Sequence, residues 1–247
     1  MNIKSKLLLA LLATSSAAFA QTAPAAPEST LGYNVGVVSE YRYRGIGQTK
    51  GDPALQGGVD YAHSNGAYVG AWASNISWIK DTSTTGATGK TEVDIYGGYK
   101  FEAAGLGLDV GFLRYEYVKN DYQPNASTNE VYGAATYGVT TLKYSQSISN
   151  LFGNADSKGS TYLELGATFD LGNGYSLVPH AGRQVIKNWA DLSYTDYALT
   201  LNKDFGDGLV GSVTAISIVG GSGIAALSNT KYDASKDVLV VGVKYSF

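Results

Sequence analysis

LVVGVKYSF, residues Leu239–Phe247, decides how this sequence folds. Leu239, Val241, Val243, Tyr245 and Phe247 fall on one face of an extended strand, and Gly242, Lys244 and Ser246 on the other. Successive side chains of a strand point to opposite faces, so this order gives one apolar and one polar face. A helix, at about 3.6 residues per turn, would scatter the same residues around its axis.

The period of two recurs upstream. Val35, Val37, Tyr41 and Tyr43 alternate with Glu40, Arg42 and Arg44. Leu55, Val59 and Tyr61 oppose Gln56, Gly58 and Asp60; Val93, Ile95, Tyr99 and Phe101 oppose Glu92, Asp94 and Lys100. Val131 and Tyr137 oppose Glu130, Leu142 and Tyr144 oppose Lys143, Leu163 and Leu165 oppose Glu164, and Tyr197 and Leu199 oppose Asp196. Tyr68 to Ile79 reads as a strand whose inward face the pattern leaves open. Near Leu113 the phase slips, as at a bulge or the end of a spanning segment.

Short turns are expected at His63–Gly66, Glu102–Gly105, Gly138–Thr140, Gly172–Gly174 and Asp204–Gly208. Longer polar loops are expected at Gly45–Pro53, Lys80–Lys90, Lys119–Asn129, Ser149–Lys158, Lys187–Ser193 and Gly220–Lys236. Short and long connections alternate strictly, which fits an all-β, antiparallel, up-and-down transmembrane barrel of about twelve strands with both termini on the short-turn side.

Composition agrees. Glycine (31 of 247 residues) and tyrosine (19) are abundant, and charged residues are 16% against a usual ~25%. So much glycine disfavours helices, and so many aromatics disfavour disorder. Without cysteine there is neither disulfide nor thiolate metal site, and two histidines exclude a histidine-rich metal centre. A net charge of −3 without a basic run argues against nucleic acid. No cofactor is implied.

Met1–Ala20 (MNIKSKLLLALLATSSAAFA) has a basic start, a short apolar core and Ala18-Phe19-Ala20, the marks of a signal peptide cut near Ala20. Residues 21–30 (QTAPAAPEST) read as a flexible periplasmic lead-in and residues 31–247 as the barrel. A mean hydropathy of −0.07 does not oppose a membrane barrel, whose lipid-facing and lumen-facing residues cancel. A soluble sandwich or barrel would hide the apolar face instead. Lipid is favoured by Tyr43, Tyr61, Tyr99, Tyr175 and Tyr245 at the ends of apolar faces, as in an interfacial girdle, and by the aromatic Phe247 ending the last strand. The expected partners are outer-membrane lipid, the barrel-insertion machinery engaging that strand, and small solutes or ions.

VSEYRYRGIGQ (Val38–Gln48) resembles the signature of the TorF family of porins. The likeness continues in ALQGGVDY (Ala54–Tyr61), GAWASNISW (Gly70–Trp78), EVDIYGGYK (Glu92–Lys100), YLELGATFDL (Tyr162–Leu171) and SYTDYALTLNKDF (Ser193–Phe205). Gly47 stands where serine is expected, and Pro179 interrupts the ninth strand. The resemblance implies a bacterial outer-membrane barrel and a channel, with no substrate and no catalytic residues.

With the charged face inward, the lumen would carry Glu40, Asp60, Glu92, Asp94, Glu130, Glu164, Asp170 and Asp196 against Arg42, Arg44, Lys100, Lys143 and Lys244. Eight acids against five bases give a mild cation preference in a porin passing small hydrophilic solutes or ions. The alternative is a filled, structural or adhesive barrel acting through its extracellular loops, since twelve strands fall between packed and open barrels. Arg42 and Arg44, stacked on one strand face, would form a basic constriction or, preferably, bridges to Asp60 and Glu92. His63-Ser64-Asn65-Gly66 invites a lipid-hydrolase reading, but adjacent His and Ser point to opposite faces, and the run is turn chemistry. His180 is the inward histidine. The expectation is a non-enzymatic barrel without a metal site.

Overall fold

A computed structural model describes residues 29–83, 86–224 and 234–247. The expected signal peptide, the lead-in up to residue 28 and the middle of the Gly220–Lys236 loop lie outside the described residues. Ser29 and Thr30 belong to the first strand rather than to the lead-in.

The chain forms β1 (Ser29–Val38), a miniature hairpin of β2 (Arg42–Tyr43) and β3 (Ile46–Gly47), then β4 (Ala54–His63), β5 (Ala67–Asn75), α1 (Trp78–Thr82), β6 (Thr91–Ala103) and β7 (Leu106–Val118). There follow β8 (Thr128–Tyr137), β9 (Thr140–Ser147), β10 (Thr161–Ala167), β11 (Phe169–Gly172), β12 (Tyr175–Val185), β13 (Tyr194–Gly206), β14 (Leu209–Gly220) and β15 (Val238–Ser246). Each wall strand pairs antiparallel with its neighbours in sequence, and β1 pairs with β15, so the sheet closes on itself. β10 and β11 are one wall strand, which makes twelve. Closure satisfies the edges that an open sheet would expose. Among the described residues no helix is long and apolar enough to cross a membrane.

The break at Thr168 has a local cause. Pro179 on β12 stands opposite the preceding residue, Ala167, has no N–H to donate, and interrupts the ladder without shifting it. Short turns use the expected residues: Asn173 and Gly174, and Asp207 and Gly208, take positive φ in tight two-residue connections.

Alternation sorts the two faces. Leu239, Val241 and Val243 point outward and are at least half exposed, whereas Lys244, the next residue along the strand, is 6% exposed. Tyr61, Tyr99, Tyr175 and Tyr245 also lie on the outer face; Tyr43 does not, being folded inside with the hairpin. The third wall strand, β5, turns Tyr68 and Ser74 inward and Val69 outward.

The expected phase slip at Leu113 is absent. β7 keeps one register against β6 from end to end, and Leu113, Tyr115 and Tyr117 follow Asp109 on the inner face. What changes is the chemistry of that face. Toward the long-loop end the interior becomes apolar and packs against Tyr41, Ile79 and Trp78 from the loops.

Candidate functional site

The first connection, between β1 and β4, does not arch outward. It turns into the barrel, and its tip is the two-residue turn Arg44–Gly45, with φ of 45° and 80°. A Cβ on Gly45 would lie 2.9 Å from Asp196 of β13 and from Ile218 of β14, so the tip reaches across the lumen and only glycine fits there. The loop is braced on its way in. Tyr41 N donates to Thr49 Oγ1 at 3.0 Å, and Gly47 N to the Ala234 carbonyl at 2.9 Å. The backbone amides of Ser77 and Trp78 both donate to the Gln48 carbonyl.

Arg42 and Arg44 are therefore not stacked on a wall strand, because β1 ends at Val38 and the chain turns inward. Nor are Asp60 and Glu92 their partners. Arg44 makes a bidentate pair with Glu130 of β8, at 3.0 and 2.7 Å, donates to Gln184 Oε1 of β12 at 2.9 Å, and lies 4.1 Å from the Tyr162 ring centre. Burial works against its charge, but the Glu130 carboxylate outweighs this and holds its pKa above the ordinary arginine value. Arg42 pairs with Glu40 at 2.9 Å and donates to the carbonyls of Gly45 and Ala234.

Below the tip, toward the short turns, lies a chamber of about 290 Å³. Asp60, Asp94, Lys100, Lys143, Glu164 and Asp196 from the wall line it, with Glu40, Arg42 and Arg44 as its roof. Glu92 and Glu130 sit behind the roof: Tyr41 Oη donates to Glu92 at 2.8 Å, and Glu130 holds Arg44. Lys244 is buried on the inner face of β15. Asp170 shares the inner face of its strand with Glu164 but stands exposed at the short-turn rim of β11, where it caps the turn by accepting from Gly172 N at 2.8 Å.

Much of the carboxylate partnering falls to tyrosines. Tyr96 Oη donates to Asp60 at 2.5 Å, Tyr68 Oη to Asp109 at 2.7 Å, and Tyr162 Oη to Asp196 at 2.9 Å. His180 joins the last pair, its Nε2 3.0 Å from Asp196 Oδ2. Lys143 lies 3.9 Å from Glu164 and over the Tyr132 ring. Asp94 Oδ1 is buried and has no hydrogen-bond partner. Charge and phase alone do not single out Asp109, Tyr68, Tyr96 and Tyr162. A glycine faces each of the three tyrosines, because a Cβ at Gly98 would collide with the Tyr68 ring, one at Gly70 with the Tyr96 ring and one at Gly182 with the Tyr162 ring.

His63 and Ser64 serve the turn. His63 Nδ1 accepts from Asn65 N, the His63 carbonyl accepts from Gly66 N, and Asn65 Oδ1 accepts from Ala67 N.

A closed twelve-stranded barrel with an apolar outer belt, a charged interior and an inward-folded loop defines a protein with a porin-like fold. The chain belongs to a family described as bacterial proteins of unknown function (Gcw_chp), whose pattern matches residues 21–247. Similar solved structures include a KdgM porin in complex with disordered oligogalacturonate, 9% identical, with a TM-score of 0.56 over 89% of this chain and 99% of that one. A NanC porin is 10% identical, with a TM-score of 0.54 over 88% of this chain and 99% of that one. No curated protein sequence matches the chain.

Proposed function

We propose that this protein is a bacterial outer-membrane porin of the TorF kind, without enzymatic activity, through which small hydrophilic solutes or ions diffuse past the Arg44–Gly45 tip. The observation that carries the reading is the division of faces: an exposed apolar belt typified by Leu239 and Val241 surrounds a chamber lined by ionisable side chains. In water such a belt would be an aggregation hazard, whereas in lipid it is the surface a barrel requires. The signal peptide and the resemblance in Val38–Gln48 support the location, and the strand ending at Phe247 is the proposed handle for the insertion machinery. Among the described residues named above, with Asp109 added and the rim residue Asp170 left out, the interior carries eight acids against five bases, so cations are favoured.

Planar-bilayer recording across a potassium chloride gradient tests this. The expected result is discrete conductance with a cation-directed reversal potential. Selectivity should shrink as salt rises, since the Debye length falls from ~10 Å at 0.1 M to ~3 Å at 1 M. Silent bilayers despite confirmed insertion would reject the pore, and an anion-directed potential would reject the charge assignment.

The Arg44–Glu130 pair favours a second reading, in which the hairpin closes the lumen and the barrel works through its outer loops. Silence in the wild type with conductance in Arg44→Ala would select it.

A further inference from the structure

The hairpin has an outer face as well, and above it lies a second cavity of about 240 Å³ of quite different character. Ile46 forms its floor, Trp78, Tyr122 and Phe152 one side, and Ile186 and Tyr194 the other. All but Tyr194, which opens β13, come from connections between wall strands, and they converge at the long-loop end of a barrel whose lower interior is charged. Hydrophilic solutes gain nothing from such a lining. The rings meet edge to face rather than stacking shut: Trp78 is 5.9 Å from Tyr122 at 61° and 5.0 Å from Tyr117 at 85°. Most polar side chains of the lining are already engaged: Gln48 donates to the Ile46 carbonyl, Asn154 to the Leu151 carbonyl, and Gln184 accepts from Arg44, which leaves Ser77 Oγ and Trp78 Nε1 without a partner among the described residues. Lys50 and Asp81, 3.5 Å apart and partly exposed, also line the cavity, as does Thr82, hydrogen-bonded to the Tyr122 hydroxyl.

We infer that this outer cavity binds a small single-ring aromatic solute bearing a hydroxyl group. An apolar cavity of about 150 Å³ holds benzene, so this one takes one substituted ring and falls short of the ~300 Å³ typical of larger ligands. The ring finds aromatic edges and faces to pack on. Its hydroxyl can donate to Asp81 and accept from Lys50. A sugar, with a polar group on nearly every carbon, would leave most of them unpaired against this lining. Binding here stands apart from conduction, because the cavity exists whether or not the hairpin lets solutes through.

The test is calorimetric titration of the refolded full chain in detergent with 4-methylphenol, against a detergent blank. Glucose and 2,6-di-tert-butylphenol serve as further probes. The site predicts saturable binding of 4-methylphenol and none of glucose. It also predicts none of the bulky phenol, although that compound enters micelles more readily. Ile46→Phe or Ile186→Phe, each filling the cavity from one wall, should weaken binding at least about tenfold, while heat-dependent gel mobility reports the intact barrel. Absence of saturable binding, preference for glucose or the bulky phenol, or undiminished affinity in folded filling variants would overturn the assignment.

Discussion

Arg44 ties its loop to three strands of the wall. It joins the first connection to β8 through Glu130, to β12 through Gln184 and to β10 through the Tyr162 ring. Breaking a buried pair by removing one partner leaves the other charge uncompensated and costs about 3–5 kcal/mol. Arg44→Ala should therefore lower thermal stability and raise single-channel conductance by freeing the tip, with Arg44→Lys intermediate because lysine lacks the bidentate fork. Equal conductance in all three proteins would remove the tip from the path. Gly111 tests packing at the same scale. A Cβ there would collide with the Tyr132 ring, so Gly111→Val should destabilise the barrel by about 1–3 kcal/mol in urea titration. These pairings were not legible in the sequence. Glu130 is 86 residues from Arg44, and alternation says which face a residue takes, not which residue it meets.

At the scale of elements, the wall strands were legible because their outer faces repeat one simple chemistry. Val241 and Ser212 show the contrast: both lie on wall strands, one outward at 53% exposure and the other inward at 7%. An arginine at the bilayer midplane costs about 2–4 kcal/mol, whereas lumen substitutions tune selectivity. Val241→Arg should thus fold into lipid vesicles with a clearly lower stability, while Ser212→Arg should fold nearly as well as wild type and alter selectivity. The reverse order would turn the barrel inside out. Pattern alone hides the inward hairpin, because Tyr41-Arg42-Tyr43-Arg44 alternates like a wall strand. Only the inward turn after Val38 and the positive φ of Arg44 and Gly45 set it apart. Tyrosine is ambiguous for a physical reason: its ring suits an outer face and its hydroxyl suits a buried carboxylate, and this barrel carries tyrosines on both faces.

For the whole molecule, the alternation of short turns and long connections gave the strand count, and the β1–β15 pairing closes the ring. The division of the interior by one loop is a property of the assembled barrel and has no counterpart in local pattern. Because the chain contains no cysteine, single cysteines can be placed at will. The central claim, a water-filled path bounded by the inner face, is tested most directly by recording current through Ser212→Cys and Val241→Cys barrels while adding a charged, water-soluble methanethiosulfonate. The account predicts that current through Ser212→Cys falls irreversibly, because the thiol faces the path, and that current through Val241→Cys is unchanged, because that thiol faces lipid. Block at Val241→Cys with none at Ser212→Cys, or no current in either, would contradict it.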